Sequence, residues 1–228
     1  MHLEVLVEDA SGRVALQTLI PKILAGAPEA PTVRCHPYKG AGHIPKGMNS
    51  ALDAQKRVLL DRLPALLNGY GKSLPLGLTA VVVVTDLDDR DCRAFLAELE
   101  GLRDACTPAP TTLFALSIEE LEAWLLGDPS AIRAAYPRAS ERVLERYRQD
   151  SVVGTWEVLA DAVHKGGSRA LKQDGAQAVG KAKSDWAKEI TPHMDVESNR
   201  SPSFVAFRQG LRALVGLPDP APPQALCP

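Results

Sequence analysis

Apolar positions recur along this chain with two periods, and the period changes with the segment. "LEVLVE", residues 3–8, is a short apolar run bounded by polar residues and predicts a strand. "SGRVALQTLIPKILAG" follows, with Val14, Leu19, Ile20, Ile23 and Leu24 at helical spacing and Ser11 as a candidate N-cap. Pro21 inside this pattern predicts a kink. "PTVRCHPY", residues 31–38, is a weaker strand. Residues 49–67 carry Leu52, Leu59, Leu63, Leu66 and Leu67 on one side of a second helix. The valine run at 79–85 predicts a strand buried on both faces. A helix over 90–105 follows, with Phe95, Leu96, Leu99 and Leu102 inward, and "TTLFALS" predicts a fourth strand. Residues 117–129 predict a helix with marked ends: Ser117 and Glu120 form a capping-box pattern, and Gly127 with Pro129 stops it. Alternation of strand and helix predicts an α/β domain with a mainly parallel sheet.

After residue 129 the strand signals stop. Helices are expected over 141–149, 155–164, 178–190 and 202–215, the last opened by Ser201 and Pro202. "LPDPAPPQALCP" is proline-rich and expected to be extended or disordered. The expected organisation is an α/β domain over 1–128, a helical region over 129–216 packed on it, and a tail over 217–228.

Hydrophobic residues make up 45% of the 228 positions and charged residues 24%, enough for a sizeable core. A net charge of −2 gives no global basic field to advertise nucleic-acid binding. The cysteines at 35, 92, 106 and 227 form no CxxC pair, which argues against a zinc knuckle and leads us to expect reduced thiols in a cytoplasmic protein. The first residues lack a signal-peptide pattern, and no apolar run reaches the ~18 residues of a membrane span, so no membrane association is expected. GxSxG, HExxH and P-loop endings are absent.

Candidate chemistry centres on "VVVVTDLDDRD", residues 81–91. Asp86 and Asp88 share a face if the extended geometry continues beyond Thr85. Glu8 ends the first strand, and ligands of parallel α/β sheets bind outside the carboxyl ends of the strands. Carboxylates gathered there suit a hard cation, Mg²⁺ or Mn²⁺. The plainer alternative is a solvated loop in which Asp88 or Asp89 caps the next helix. Glu119 and Glu122 lie three apart on the expected helix, and Glu122 is a further candidate ligand. In "KGAGHIPKG", Lys39, His43 and Lys46 are candidate phosphate contacts, with a surface turn as the alternative. Lys165, Lys181, Lys183, Lys188 and Arg200 make the C-terminal half locally basic, while Trp156 and Trp186 read as core.

"VLVE" in a first strand and a valine-rich strand ending in "DLD" resemble the Toprim fold of topoisomerases, primases and the overcoming-lysogenization-defect nucleases. "LVEDASG", "KGAGHIPKG", "VVVVTDLDDRDC", "IEELEAWLLGD", "GTWEVLADAV" and "NRSPSF" look like a bacterial family of unknown function related to Toprim proteins. The resemblance implies a Toprim-like α/β fold, with Glu8 and the Asp86/Asp88 pair facing a Mg²⁺ or Mn²⁺ site. It also implies phosphodiester cleavage of DNA or RNA, an ABC/AAA-type ATPase partner and a setting in phage defence. The alternative it leaves is a non-catalytic binding or regulatory subunit of such an ATPase. Toprim nucleases often carry a further acidic residue soon after the first glutamate. Here Gly12 stands four residues on, and Asp9 is the nearest carboxylate.

Overall fold

A computed structural model describes residues 1–45, 57–75, 77–151 and 154–227. Four strands, β1 (His2–Val7), β2 (Thr32–Pro37), β3 (Thr79–Asp86) and β4 (Thr112–Ser117), form one sheet in the order β2-β1-β3-β4. Every pairing is parallel. The two inner strands, β1 and β3, therefore end side by side, with Val7 opposite Val84. Helices α1 (Ala10–Ile23), α2 (Leu59–Ser73) and α3 (Cys92–Asp104) alternate with the strands. Then come α4 (Glu122–Leu126), α5 (Pro129–Ala135), α6 (Glu141–Arg146), α7 (Thr155–Val163), α8 (Gly167–Asp174), α9 (Ala176–Ile190) and α10 (Pro202–Leu214).

Side chains alternate across the sheet, so each strand feeds two cores. Leu3, Val5 and Val7 of β1, with Ala80, Val82 and Val84 of β3, pack into one cluster with α1 and the later helices. Leu6, Val81 and Val83 pack on the other face with Leu59, Leu60, Leu63, Leu67, Phe95 and Leu99. Burial on both faces is why β3 reads as an unbroken valine run. Trp124 of α4 stacks on Phe207 of α10 at 4.7 Å and meets Phe204 edge-on at 5.7 Å. Its indole N–H donates to Ser203 Oγ at 3.0 Å. Truncating a ring buried to this depth costs about 3–5 kcal/mol. Helices α4 and α10 thus share the core that covers this face of the sheet.

The expected α/β parallel fold is present, and several local expectations are corrected. The helix expected over 117–129 is a turn followed by the five residues of α4. Ser117 ends β4 instead of capping a helix. Its carbonyl accepts from Leu87 N–H at 2.9 Å, and that of Glu119 accepts from Asp88 N–H at 3.1 Å. Those bonds engage carbonyls that an early helix would have used. Asp9, not Ser11, caps α1, accepting from Gly12 N–H at 2.7 Å. Asp91, rather than Asp88 or Asp89, caps α3. The helix continues through Pro21 to Ile23. The second helix runs to Ser73, and the start expected for it at residue 49 lies outside the described residues.

The proline-rich tail, described over 217–227, has no regular secondary structure. The expectation of four reduced thiols is also corrected. Cys92 and Cys227 form a disulfide, while Cys35 and Cys106 are free. Chain spacing could not show this, because 135 residues separate two cysteines that the fold brings to a Cα–Cα distance of 5.6 Å. No helix among the described residues is long and apolar enough to cross a membrane.

Candidate functional site

Glu8 directly follows β1, and Asp86 is the last residue of β3. Strand parity sends them to opposite sides of the sheet edge. Glu8 continues the Leu6 side and accepts from Thr85 Oγ at 3.3 Å, while Asp86 continues the Val84 side and accepts from Ser117 Oγ at 2.5 Å. The backbone joins them, because Asp86 N–H donates to Glu8 Oε2 at 3.2 Å. Ala41 N–H donates to the same carboxylate. Both residues contribute to the lining of one small cavity with Ser11, Gly12, Leu121, Glu122 and Lys183. Gly12 keeps that space open. A Cβ there would lie 2.5 Å from Val7 Cγ2, so any other residue would force the buried Val7 side chain to shift.

Lys183 projects from α9 into this acidic edge. Its Nζ lies 3.0 Å from Glu120 Oε1 and 3.3 Å from Glu122 Oε2. The Lys183 side chain is 15% exposed and that of Glu122 2%. Burial works against the Lys183 charge, but Glu122, Glu120 and Asp86 outweigh it and hold the ammonium protonated far above its usual range. One ammonium faces the three carboxyl groups of Glu122, Glu120 and Asp86, more than a single positive charge can balance when all are ionised. Burial raises the Glu122 carboxyl to about 7, although Lys183 pulls the other way. Burial, followed by the neighbouring Glu8 charge, lifts Asp86 well above the carboxylate range. Glu8 is raised by burial and by the charges of Asp88 and Asp9, against the hydrogen bond from Asp86 N–H. Glu120 is likewise raised by burial, against Lys183. Among the described residues, Glu120 Oε2 and Glu122 Oε2 are buried without a hydrogen-bond donor.

Asp88 does not share the Asp86 face. Its φ of 53° puts the backbone in the left-handed region, so the extended geometry stops before it. Its side chain is 49% exposed and lies 3.6 Å from Arg90 Nη2. Arg90 in turn covers the Phe95 ring at 4.5 Å. Glu119 is also left-handed, with φ of 66°, and does not share a helix face with Glu122. Its carboxylate accepts from Gly154 N–H at 2.7 Å and Thr155 N–H at 2.5 Å, which makes it a support for the start of α7. Lys39 and His43 are exposed on the loop that touches Glu8 through Ala41. His43 N–H donates to Asp61 Oδ1 at 2.8 Å. Lys46 lies outside the described residues. Trp186 is buried as expected, whereas Trp156 is half-buried with Lys172 Nζ 5.3 Å from its ring centre.

Sequence reasoning placed Lys183 in a basic region and did not connect it to the carboxylates. A signal existed. Val179, Lys183, Trp186 and Ile190 recur at helical spacing, and a lysine within an apolar stripe points to a buried charge that needs a partner. The capping-box pattern of Ser117 and Glu120 gives no sign of their contacts with Asp86 and Lys183.

Among the described residues, no group of three or more His, Cys, Asp or Glu side chains is arranged to hold a metal ion. Glu8 and Asp86 nevertheless bring two carboxylates to the lining of one cavity, with Glu122, ion-paired to Lys183, beside them. This set is of the oxygen-donor type that a Mg²⁺ ion takes through one or two carboxylates. It lacks the sulfur or imidazole donors that zinc prefers.

Fold and site together define an α/β protein with a helix-flanked parallel sheet and a carboxylate-rich cavity at its central strand ends. The chain belongs to the family described as a domain of unknown function, DUF4276, which matches residues 7–212. That match takes in Glu8, Asp86, Glu120, Glu122 and Lys183. No curated protein and no solved structure matches the chain.

Proposed function

We propose that the protein is a Mg²⁺- or Mn²⁺-dependent enzyme that cleaves phosphodiester bonds in DNA or RNA. One observation carries this reading: Glu8 and Asp86 line one cavity where two parallel strands end, amid more carboxylates than Lys183 can balance. Glu8 and Asp86 would hold the ion, with Glu122 facing it from α4. The bound ion would polarise a phosphoryl oxygen and lower the pKa of a water. Glu8, whose carboxyl burial raises above its ordinary value, would be ligand or general base. Asp88, exposed on the rim, would act on waters at the cavity mouth. Lys39 and His43, with Lys46 of the same loop, would contact phosphates of the nucleic acid. An ABC/AAA-type ATPase partner and a role in phage defence follow from the Toprim resemblance.

The reading is tested by incubating wild type, Glu8→Gln and Asp86→Asn with single- and double-stranded DNA and RNA in Mg²⁺ or Mn²⁺. Wild type should cleave at least one substrate, and each variant should lose that cleavage while circular dichroism stays unchanged. No cleavage by wild type under any of these conditions removes the enzyme reading.

A second reading is a non-catalytic cation- or phosphate-binding subunit that regulates an ATPase. The outward turn of Asp88 towards Arg90 favours it, since it leaves Glu8 and Asp86 without the third carboxylate of a full catalytic set.

A further inference from the structure

We propose that residues 217–227 form a redox-latched strap: an extended ligand carried in cis, seated in a groove between α3 and α10, and released when the Cys92–Cys227 disulfide is reduced. This inference is independent of what the carboxylate cavity binds. The groove runs beside β4, an edge strand of the sheet. Its walls include Leu96 and Arg103 of α3, Leu113 and Phe114 of β4, and Gln209 and Ala213 of α10. Gln224 and Leu226 of the strap line the same groove, so the strap occupies it in part.

The strap is held at both ends and lightly between them. At its start, Asp219 accepts from Arg208 Nε at 2.8 Å and Nη2 at 2.9 Å, and from Arg212 Nη1 at 2.9 Å. Arg208 is buried and also donates to the Val196 carbonyl at 2.5 Å, so this anchor is part of the core. At its far end, the disulfide ties Cys227 to the first residue of α3. Between the anchors, Gln209 Nε2 donates to the Ala221 and Pro222 carbonyls at 3.3 and 2.8 Å, and Gln224 N–H donates to Gln209 Oε1 at 2.8 Å. Leu226 packs against the α2–α3 core. Prolines at 218, 220, 222 and 223 remove backbone donors and favour an extended chain. Pro222, Pro223, Gln224 and Ala225 are exposed. Without the covalent tie, this stretch keeps one glutamine bracket and one apolar side chain.

The latch is within reach of a reductant, because Cys92 and Cys227 are only half-buried. The thiolate of a small dithiol would attack one sulfur, forming a mixed disulfide and freeing the other cysteine. The second thiol of the reductant would then displace the remaining cysteine. The reductant leaves as its disulfide, and Cys92 and Cys227 become thiols. Release would uncover the groove along β4 for an extended, proline-rich segment of another protein, the chemistry its present occupant displays. It would also untie the first turn of α3, where Asp91 caps the helix and ends the acidic loop that begins at Asp86.

The test is hydrogen exchange read by mass spectrometry on the full chain, kept either in oxidised glutathione or in dithiothreitol. Intact mass should show two hydrogens lost in the first sample. Amides of Gln224, Ala225 and Leu226 should exchange roughly tenfold faster in the second, while β1 and β3 stay protected. Cys92→Ser kept under oxidising conditions should behave like the reduced protein. Absence of the disulfide after glutathione treatment overturns the proposal, as does equal strap protection in both samples. Loss of protection throughout β1 and β3 on reduction overturns it as well, because the bond would then hold the whole fold and not a strap.

Discussion

Lys183 Nζ lies 3.3 Å from Glu122 Oε2, an ion pair at the seam between the sheet's strand ends and the helical region. The ammonium also faces Glu120 and Asp86, so a single charge from α9 offsets part of the acidic edge left by β3 and the turn after β4. Like-charged carboxylates this close would otherwise oppose folding.

Removing that charge should be costly. Lys183→Met keeps most of the volume and leaves buried carboxylates without a partner, which costs about 3–5 kcal/mol for a buried pair. Urea unfolding at pH 8 should show the loss, and the loss should shrink at pH 5, where the carboxyls hold protons. An unchanged midpoint at pH 8 would contradict the assignment.

The raised carboxyls set the sign of the pH dependence. Glu122 titrates near its ordinary 4.5 in the unfolded chain and at about 7 in the folded one. Between these values the folded state binds more protons, so stability falls as pH rises and levels off above about 7. The effect from this group reaches about 3 kcal/mol. Glu8, Asp86 and Glu120 are shifted in the same direction and add to it. Urea midpoints should therefore decrease from pH 5 to pH 7.5, less steeply in Glu122→Gln. Midpoints that increase over this range would refute the account.

Much of the fold could be read from the chain, and the reasons are local. The valine run is a strand because it faces apolar groups on both sides, and Phe95 and Leu99 mark α3 through a single inward stripe. Glu8 and Asp86 could be placed at one sheet edge because parallel strands end together. What escaped notice depends on contacts distant in sequence. Ser117 leaves its capping role because β3 and β4 are zipped beyond their ends. Lys183 is 97 residues from Asp86, as the numbering gives, and its role requires α9 to pack under the strand ends. The disulfide depends on a tail that periodicity cannot place.

Glu119 supplies a separate check on that corner of the molecule. Its carboxylate satisfies the Gly154 and Thr155 N–H groups at the start of α7. Glu119→Ala should cost about 2 kcal/mol in urea unfolding, the scale for leaving buried donors unpaired. A change below about 0.5 kcal/mol, the range of ordinary surface substitutions, would show that water replaces the carboxylate.

If nucleic acid is the substrate, the loop beside Glu8 should contribute charge and little sequence preference. Lys39→Ala should weaken binding of oligonucleotides uniformly and reduce the slope of log K against log salt by about one. Mn²⁺ binding should be unaffected. A slope equal to wild type would remove Lys39 from the interface.

The central claim is that Glu8 and Asp86 hold a divalent cation, and calorimetric titration with Mn²⁺ tests it most directly. Wild type should bind with a saturating heat, and Glu8→Gln and Asp86→Asn should each weaken binding by roughly tenfold or more, the scale for loss of about 1.4 kcal/mol. Melting temperature should rise with Mn²⁺ in wild type alone, because an ion that binds only the folded state stabilises it. No binding by wild type, or equal binding by all three proteins, would contradict the claim and leave Lys183 as the sole counter-charge of the site.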